Sequence, residues 1–191
     1  MVLAWQDGDA TIALAPGDRR WVGDGLGLRR LAWLTSPYPA MRWQGQAASA
    51  MAPHLWRRWV VWVGAEPELL GMAARAAIAY PLQLRGIAAA EIERRTEFWA
   101  ERLALPPTVW GVSPLALARE QQKQVALVRA LAIEPPVLLC DRPGLYLSPA
   151  LGDRFRQALV DLPESIVVVH DDPSRWPGWL PLTPAEAMDD F

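Results

Sequence analysis

The chain has few of the residues that build disulfide frameworks and metal sites. Its 191 residues include one cysteine, Cys140, and two histidines, His54 and His170. A single cysteine excludes a disulfide scaffold and a cysteine-rich metal site, and two histidines leave little material for zinc. Lysine is almost absent as well, since Lys123 is the one lysine among nineteen basic residues.

Long apolar runs and an excess of positive charge are also missing. Runs such as 59–65 are far shorter than the roughly 20 residues that a membrane-spanning helix needs. The N-terminal residues MVLAWQDGDA lack the positive start and the long apolar stretch of a signal peptide. Nineteen basic residues against twenty-one acidic ones exclude a strongly basic nucleic-acid binder. We therefore expect a cytoplasmic protein with no nucleic-acid partner.

The hydrophobic content predicts a single packed domain. With 52% hydrophobic and 21% charged residues, the chain should collapse and bury a core. The pattern predicts strands at 10–14, 20–23, 59–64, 137–140 and 165–169. It predicts helices at 28–35, 69–80, 87–103, 118–133 and 151–161. Because several strands are apolar without alternation, the fold class is α/β with a mostly parallel sheet.

Polar residues or glycines follow three of the predicted strands. They are Gly23–Gly27, Asp141 with Arg142, and His170 with Asp171. In an open parallel sheet, ligands bind beyond the carboxyl ends of the strands. A glycine turn between strand and helix, together with an acid at the end of an apolar strand, outlines a phosphate-loop nucleotide binder.

The segment 121–143, QQKQVALVRALAIEPPVLLCDRP, resembles the signature helix and Walker B region of ABC-transporter ATP-binding subunits. Other landmarks of that family follow in the right order. They are the turn 16–18, the phosphate loop and its helix at 23–31, the glutamine-loop region at 61–70, and the strand with the switch histidine at 167–171. The segments AYPLQLRG and ALPPTV are most similar to small ATP-binding subunits of the bacterial iron-export type.

The resemblance implies the P-loop NTPase-like fold of an ABC ATPase. It implies one domain over residues 1–191, with an α/β core at 1–70 and 114–191 and a helical subdomain inserted at 71–113. The first strand of the family and its adenine-stacking aromatic are expected to be largely missing, because Trp5 is the only aromatic residue nearby.

The phosphate loop departs from the family pattern G-x-x-x-x-G-K-[ST]. Gly23 and Gly27 have three residues between them instead of four, with Gly25 at the centre. Leu28 stands where the lysine that reaches the β- and γ-phosphates belongs, and Arg29 stands where the magnesium-binding hydroxyl belongs. The only lysine of the chain, Lys123, follows the signature. The resemblance therefore implies that the phosphate loop has lost its lysine.

The other departures share one property, which is the loss of a group that would contact phosphate, magnesium, the attacking water or a second subunit. They are Ala65 at the glutamine loop, Ala118, Arg119 and Glu120 at the signature LSGGQ (whose last position keeps its glutamine as Gln121), Arg142 in place of the water-polarising carboxylate, and Ser148 in place of the dimer-facing aspartate. Glu120 adds negative charge where phosphate would lie. Arg142 stays protonated and cannot act as a base.

Asp141 of Walker B and His170 of the switch also keep the residues of the family. An aspartate after a strand also caps turns, and a histidine at a strand end is often a hydrogen-bonded structural residue. We therefore expect no catalytic residue, with Asp141, Arg142 and His170 as vestigial positions. In the family each ATP lies between one subunit's phosphate loop and the other's signature, and this chain departs from both.

The main hypothesis from the sequence is a degenerate ATP-binding-like subunit, a pseudo-ATPase. It would need no cofactor and would bind a membrane permease or another ABC-type subunit, with a homodimer as a further option. Its address would be the cytoplasm, including the inner face of the plasma membrane when a permease is bound. The residues expected to contact the partner are apolar and lie after the glutamine-loop position: Leu69, Leu70, Met72, Tyr80 and Leu82.

Two alternatives stay open at this point. One is a divergent but active ATPase, in which Arg29, Arg30, Arg119 and Arg142 bind the phosphates of Mg-ATP bidentately. The other is a soluble regulatory module that binds no transporter.

Overall fold

The computed structural model describes residues 3–7, 10–23 and 41–182. Its strands are β1 (Leu3–Asp7), β2 (Ala10–Leu14), β3 (Arg19–Val22), β4 (Met41–Trp43), β5 (Gln46–Ala47), β6 (Val60–Val63), β7 (Val137–Asp141), β8 (Ile166–His170) and β9 (Leu180–Pro181). The helices within the described residues are α1 (Pro53–Trp59), α2 (Ala74–Gln83), α3 (Ala89–Arg102), α4 (Arg119–Ala132) and α5 (Pro149–Ala158).

The larger sheet confirms the predicted α/β class. Its five strands lie in the order β6-β7-β8-β3-β9, and β3 is parallel to both β8 and β9, as β7 is to β8. All residues of β7 and β8 are buried. This is the burial that unbroken runs of Val, Leu and Ile predict for parallel strands covered on both faces.

A second, antiparallel sheet was not predicted. It has the order β2-β1-β4-β5, so that β1 is an inner strand with Leu3 paired to Leu14 on one side and to Trp43 on the other. The expectation that the first strand is largely missing is therefore wrong. Trp5 is 8% exposed and packs into the hydrophobic core, because alternate side chains of an inner strand face the interior.

The described residues form two compact units. Unit 1 comprises those within Met1–Trp62, Pro136–Asp141 and Glu164–Phe191, and unit 2 those within Val63–Pro135 and Arg142–Pro163. The core of unit 1 takes apolar residues from both sheets and from α1, including Trp43 and Trp56. The division into core and insertion made from the sequence stays a prediction.

Unit 2 is built around α4, which packs against α2 and α3. The predicted helix over 69–80 begins at Ala74 instead. The reason is local, since Leu70 and Gly71 have φ angles of 56° and 72° and form a left-handed turn that a helix cannot contain. Among the helices of the described ranges, none combines the length and the apolar character that a membrane span requires.

Thr96 provides a first test of the interior of unit 2. Its Oγ1 is buried without a hydrogen-bond partner among the described residues. Valine has the same shape without the hydroxyl, so Thr96→Val is expected to raise the free energy of unfolding by about 1 kcal/mol. Urea unfolding measures the change, with the exposed Thr108→Val as a control that should leave stability unaltered. A less stable Thr96→Val variant would mean that the hydroxyl is hydrogen-bonded in solution.

Glu91 provides a second test, through pH. Hydrogen bonds from Arg94 and Arg95 lower the pKa of its carboxyl from 4.5 to about 2. Because the folded pKa is the lower one, the stabilisation is complete above the ordinary pKa and is lost as the pH falls toward 2. The difference in the free energy of unfolding between the native chain and Glu91→Gln should therefore shrink as the pH falls from about 5 to about 2.5. An NMR titration of the Glu91 carboxyl near its ordinary pKa would contradict this.

Candidate functional site

The carboxyl ends of β3, β7 and β8 lie level with one another. His170 at the end of β8 is in register with Asp141 of β7 on one side and with Val22 of β3 on the other. The three strands are parallel, so the residues that follow them leave from the same edge of the sheet. This edge is where α/β folds of this kind bind their ligands.

Asp141 and His170 are joined directly at this edge. The Nδ1 atom of His170 lies 2.8 Å from Oδ1 of Asp141. The two side chains are 12% and 5% exposed, respectively. An ionised carboxylate only accepts hydrogen bonds, so Nδ1 of the imidazole carries the proton in this pair. The carboxylate thereby has a hydrogen-bond donor in a place where water has little access.

Gly23 begins the predicted phosphate loop and is not in a conformation that demands glycine. Its backbone is not in the left-handed region. A Cβ built on Gly23 would lie 3.6 Å from the nearest heavy atom, which belongs to the Trp21 ring, and this is an ordinary van der Waals distance. The other predicted loop positions lie outside the described residues: Gly25, Gly27, Leu28, Arg29 and Arg30.

Metal-ligating residues are scarce in the part of the chain that the structure describes. Within it, no three or more His, Cys, Asp or Glu side chains are grouped so that they could hold a metal ion. Asp141 and His170 are therefore a pair without a third candidate ligand of these types among the described residues.

The predicted signature segment starts α4 in unit 2. Ala118 precedes the helix, and its N–H donates to Oε1 of Gln121 at 3.1 Å. Oε1 of Glu120 accepts a hydrogen bond from the N–H of Ser148 at 2.7 Å. The Glu120 carboxylate thus occupies a backbone donor of unit 2 itself, at the residue that caps α5.

The sequence pattern gives Lys123 no role beyond its place just after the signature, yet its side chain is fully buried. Its Nζ donates to the carbonyl oxygens of Gly64 and Ala65, each at 2.9 Å. Ala65 is the predicted glutamine-loop position, so the one lysine of the chain is bound to the backbone there. Its rarity was the only signal in the sequence.

Three further side chains meet beside this point. The hydroxyl of Tyr146 donates to Oε1 of Glu66 at 2.6 Å, and this bond raises the pKa of the tyrosine. Arg119 places Nη1 3.6 Å from Oε2 of Glu66 and lies over the Tyr146 ring at 5.6 Å. Arg142 is exposed, and both Arg142 and Tyr146 are left-handed, with φ angles of 42° and 71°.

The residues predicted to contact a partner divide into two groups. Leu69 and Leu82 are 5% and 0% exposed and belong to the interior, so they are not part of a surface. Leu70 and Tyr80 are 59% and 37% exposed, and Met72 is half-buried. Leu84, which follows α2, is 69% exposed.

Two ATP-binding transport proteins are similar to part of this chain. The chain is 35% identical over 94 residues to the methionine import ATP-binding protein MetN of Caulobacter vibrioides, which covers 49% of this chain and 28% of that protein. It is 35% identical over 92 residues to the histidine/lysine/arginine/ornithine transport ATP-binding protein HisP of Escherichia coli, covering 47% and 36%. The matched stretch spans about a third of these relatives' length. No protein-family model matches the chain.

Solved structures extend the likeness over nearly the whole chain. A dimeric ATP-binding cassette in a post-hydrolysis state with ADP and phosphate aligns with a TM-score of 0.74 and 20% identity, over 92% of this chain and 90% of that one. A bacterial Atm1-family ABC exporter with ATP bound aligns with a TM-score of 0.73 and 18% identity, over 89% and 34%. At these identities the alignments establish the fold.

Proposed function

We propose that this chain, a member of the superfamily of ABC-transporter ATP-binding domains, is a pseudo-ATPase that serves as a binding partner of a membrane permease or of another ATP-binding subunit. The fold and the homology belong to ATP-binding subunits. The lost ATPase activity and the partner role are the parts that we add.

The position of Lys123 carries the proposal. A phosphate loop uses a lysine ammonium at the β- and γ-phosphates. This chain has one lysine, and its Nζ is fully buried on the carbonyl oxygens of Gly64 and Ala65. Withdrawing it would leave two carbonyls and a buried cavity behind, so no lysine is available for a nucleotide.

The pair at the sheet edge supports the same conclusion. A Walker B aspartate and a switch histidine would act on magnesium and on the γ-phosphate, whereas here Asp141 and His170 bond to each other at 2.8 Å. Nδ1 of His170 and Oδ1 of Asp141 are therefore already engaged with each other. Arg142 follows in the position of a water-polarising carboxylate and keeps its proton, so it supplies no base.

The start of α4 gives a third line of support. Backbone N–H groups at a helix start can bind phosphate when they are free and no negative charge lies close by. Here Glu120 places a carboxylate in the first turn. The cation that could compensate for it, Arg119, already faces Glu66 at 3.6 Å. An incoming phosphate would meet one carboxylate directly and would have to compete with another.

The first experiment is direct binding of Mg-ATP to the purified chain, followed by tryptophan fluorescence and checked by calorimetry. With eleven tryptophans the chain has ample signal, and we expect no binding up to millimolar nucleotide. Micromolar binding would favour a phosphate site built from arginines, and release of phosphate from the bound ATP would overturn the pseudo-ATPase.

The partner role is tested by capture from native membranes. We expect the chain to recover a permease or another ATP-binding subunit, and we expect Leu70→Asp and Tyr80→Asp to lose it. Val160→Asp is the matched control, because Val160 is 65% exposed in the same unit but lies away from α2 in the sequence. A purely cytosolic complex without a transporter would favour the soluble regulatory module instead.

A further inference from the structure

The backbone that follows β6 is fastened to α4 by Lys123. The ammonium donates to two successive carbonyl oxygens, those of Gly64 and Ala65, at 2.9 Å each. An ammonium is costly to bury unless hydrogen bonds satisfy it, and bonds from a charged donor are the stronger kind. Lys123 is fully buried, so these bonds hold the segment in one place.

A second attachment lies one residue further on. Glu66 accepts the hydroxyl of Tyr146 at 2.6 Å and faces Arg119 at 3.6 Å. Arg119 and Lys123 are four residues apart on α4 and therefore lie on the same side of the helix. Residues 64–66 are thus held at successive positions by side chains that all belong to unit 2.

The segment then enters a turn that is strained by itself. Leu70 is left-handed with a φ of 56°, a conformation that is unfavourable for a residue with a Cβ. The N–H of Met72 closes the turn on the carbonyl of Leu69 at 3.0 Å. Such a conformation persists when the surrounding structure determines it. The turn also presents Leu70, which is 59% exposed.

We propose that Lys123 is a latch that keeps residues 64–72 in the conformation that presents Leu70 and Met72, without any nucleotide. This inference rests on the proposed partner role, because the surface that it orders is the proposed partner surface. A surface that is already ordered loses less conformational entropy on binding. The latch thus gives a chain without nucleotide control a permanently prepared docking segment.

Hydrogen exchange of the full chain tests the latch. In Lys123→Met the amides of 64–72 are expected to exchange at least about tenfold faster than in the native chain, because local opening no longer breaks charge-assisted bonds. The amides of β7 and β8 should keep their rates. Equal rates at 64–72 in both chains would overturn the latch.

Gln124→Met is the matched control. Gln124 is the next residue of α4, is 5% exposed, and donates through Nε2 to the carbonyls of Leu103 at 2.8 Å and Ala104 at 3.4 Å. Its removal should accelerate exchange close to the end of α3 and leave 64–72 unaffected. Acceleration at 64–72 in both variants would show general loosening of unit 2 and would overturn a specific latch.

The native chain gives a readout that does not depend on whether a variant folds. Because Lys123 is the only lysine, an acylating reagent reports its accessibility at a single side chain. We expect labelling of Lys123 at least about a hundredfold slower in the native chain than in denaturant. Labelling at similar rates in the two conditions would overturn the latch.

The same measurements in millimolar Mg-ATP separate the latch from the pseudo-ATPase. If nucleotide binds and is hydrolysed while Lys123 stays protected, the pseudo-ATPase is wrong and the latch stands. If Lys123 is labelled rapidly while no nucleotide binds, the latch is wrong and the pseudo-ATPase stands.

Discussion

Replacement of Trp56 by alanine is expected to lower the free energy of unfolding by about 3–5 kcal/mol. The side chain is 0% exposed in the core of unit 1 and meets the Trp43 ring edge to face at 6.3 Å between centroids. Alanine would leave a cavity and would also remove this aromatic contact. Urea unfolding followed by circular dichroism measures the loss.

The control for Trp56 is its neighbour in the same helix. Leu55 is 40% exposed, so Leu55→Ala should lower the free energy of unfolding by less than about 1 kcal/mol. Leucine and alanine have similar helix propensities, so the helix itself is little affected. A cost for Trp56→Ala no larger than that for Leu55→Ala would contradict the core as described.

Replacement of His170 by alanine is expected to cost about 3 kcal/mol of stability, because it leaves the buried Asp141 carboxylate without the imidazole that donates to it. Asp141→Asn should cost only about 1 kcal/mol, since the amide oxygen still accepts from Nδ1 and no charge stays buried. The stability of each variant is measured in buffer without nucleotide.

Two comparisons make this result specific to the pair. Glu164→Gln removes an exposed carboxylate of the same unit and should leave stability within about 0.5 kcal/mol of the native value. The cost of the double variant Asp141→Ala/His170→Ala should be less than the sum of the costs of Asp141→Ala and His170→Ala measured singly. Additive costs would show that the two side chains act independently, against their 2.8 Å contact.

The parallel sheet could be predicted because its central strands can be identified from their own sequences, without knowing which strands they pair with. Val137–Asp141 and Ile166–His170 are apolar up to their last residue, which is polar in each strand. Burial on both faces explains the first property, and the emergence of the chain at the ligand-binding edge explains the second. The same reasoning predicts that Asp141 and His170 lie at one edge of the sheet.

The antiparallel sheet could not be predicted in the same way. Met41–Trp43 and Gln46–Ala47 are three and two residues long, too short for any periodicity to be read. The inner position of Leu3–Asp7 depends on its pairing with Met41–Trp43, which lies far away in the sequence. Leu70 likewise gives no sign in the sequence that it will adopt a left-handed conformation and delay the start of α2.

The role of Lys123 depends on tertiary structure for a different reason. Lysine is almost never fully buried unless it is paired, so a lysine in a helix is ordinarily placed on the solvent face. Only the position of the segment after β6 shows that Lys123 has two carbonyl oxygens as hydrogen-bond acceptors. The resemblance to the family assigns no role to Lys123, because the family motifs describe contacts to the nucleotide and not contacts between a side chain and the backbone.

Three successive residues of α4 donate side-chain hydrogen bonds to backbone carbonyls, and this limits the substitutions that these positions can accept. Gln122 donates to the carbonyls of Pro114 and Leu117, Lys123 to those of Gly64 and Ala65, and Gln124 to those of Leu103 and Ala104. An apolar replacement would leave such carbonyls without their donors. In a library of variants selected for folding alone, these three positions should therefore retain long hydrogen-bond donors. Position 119, at the exposed start of the same helix, should accept most residues.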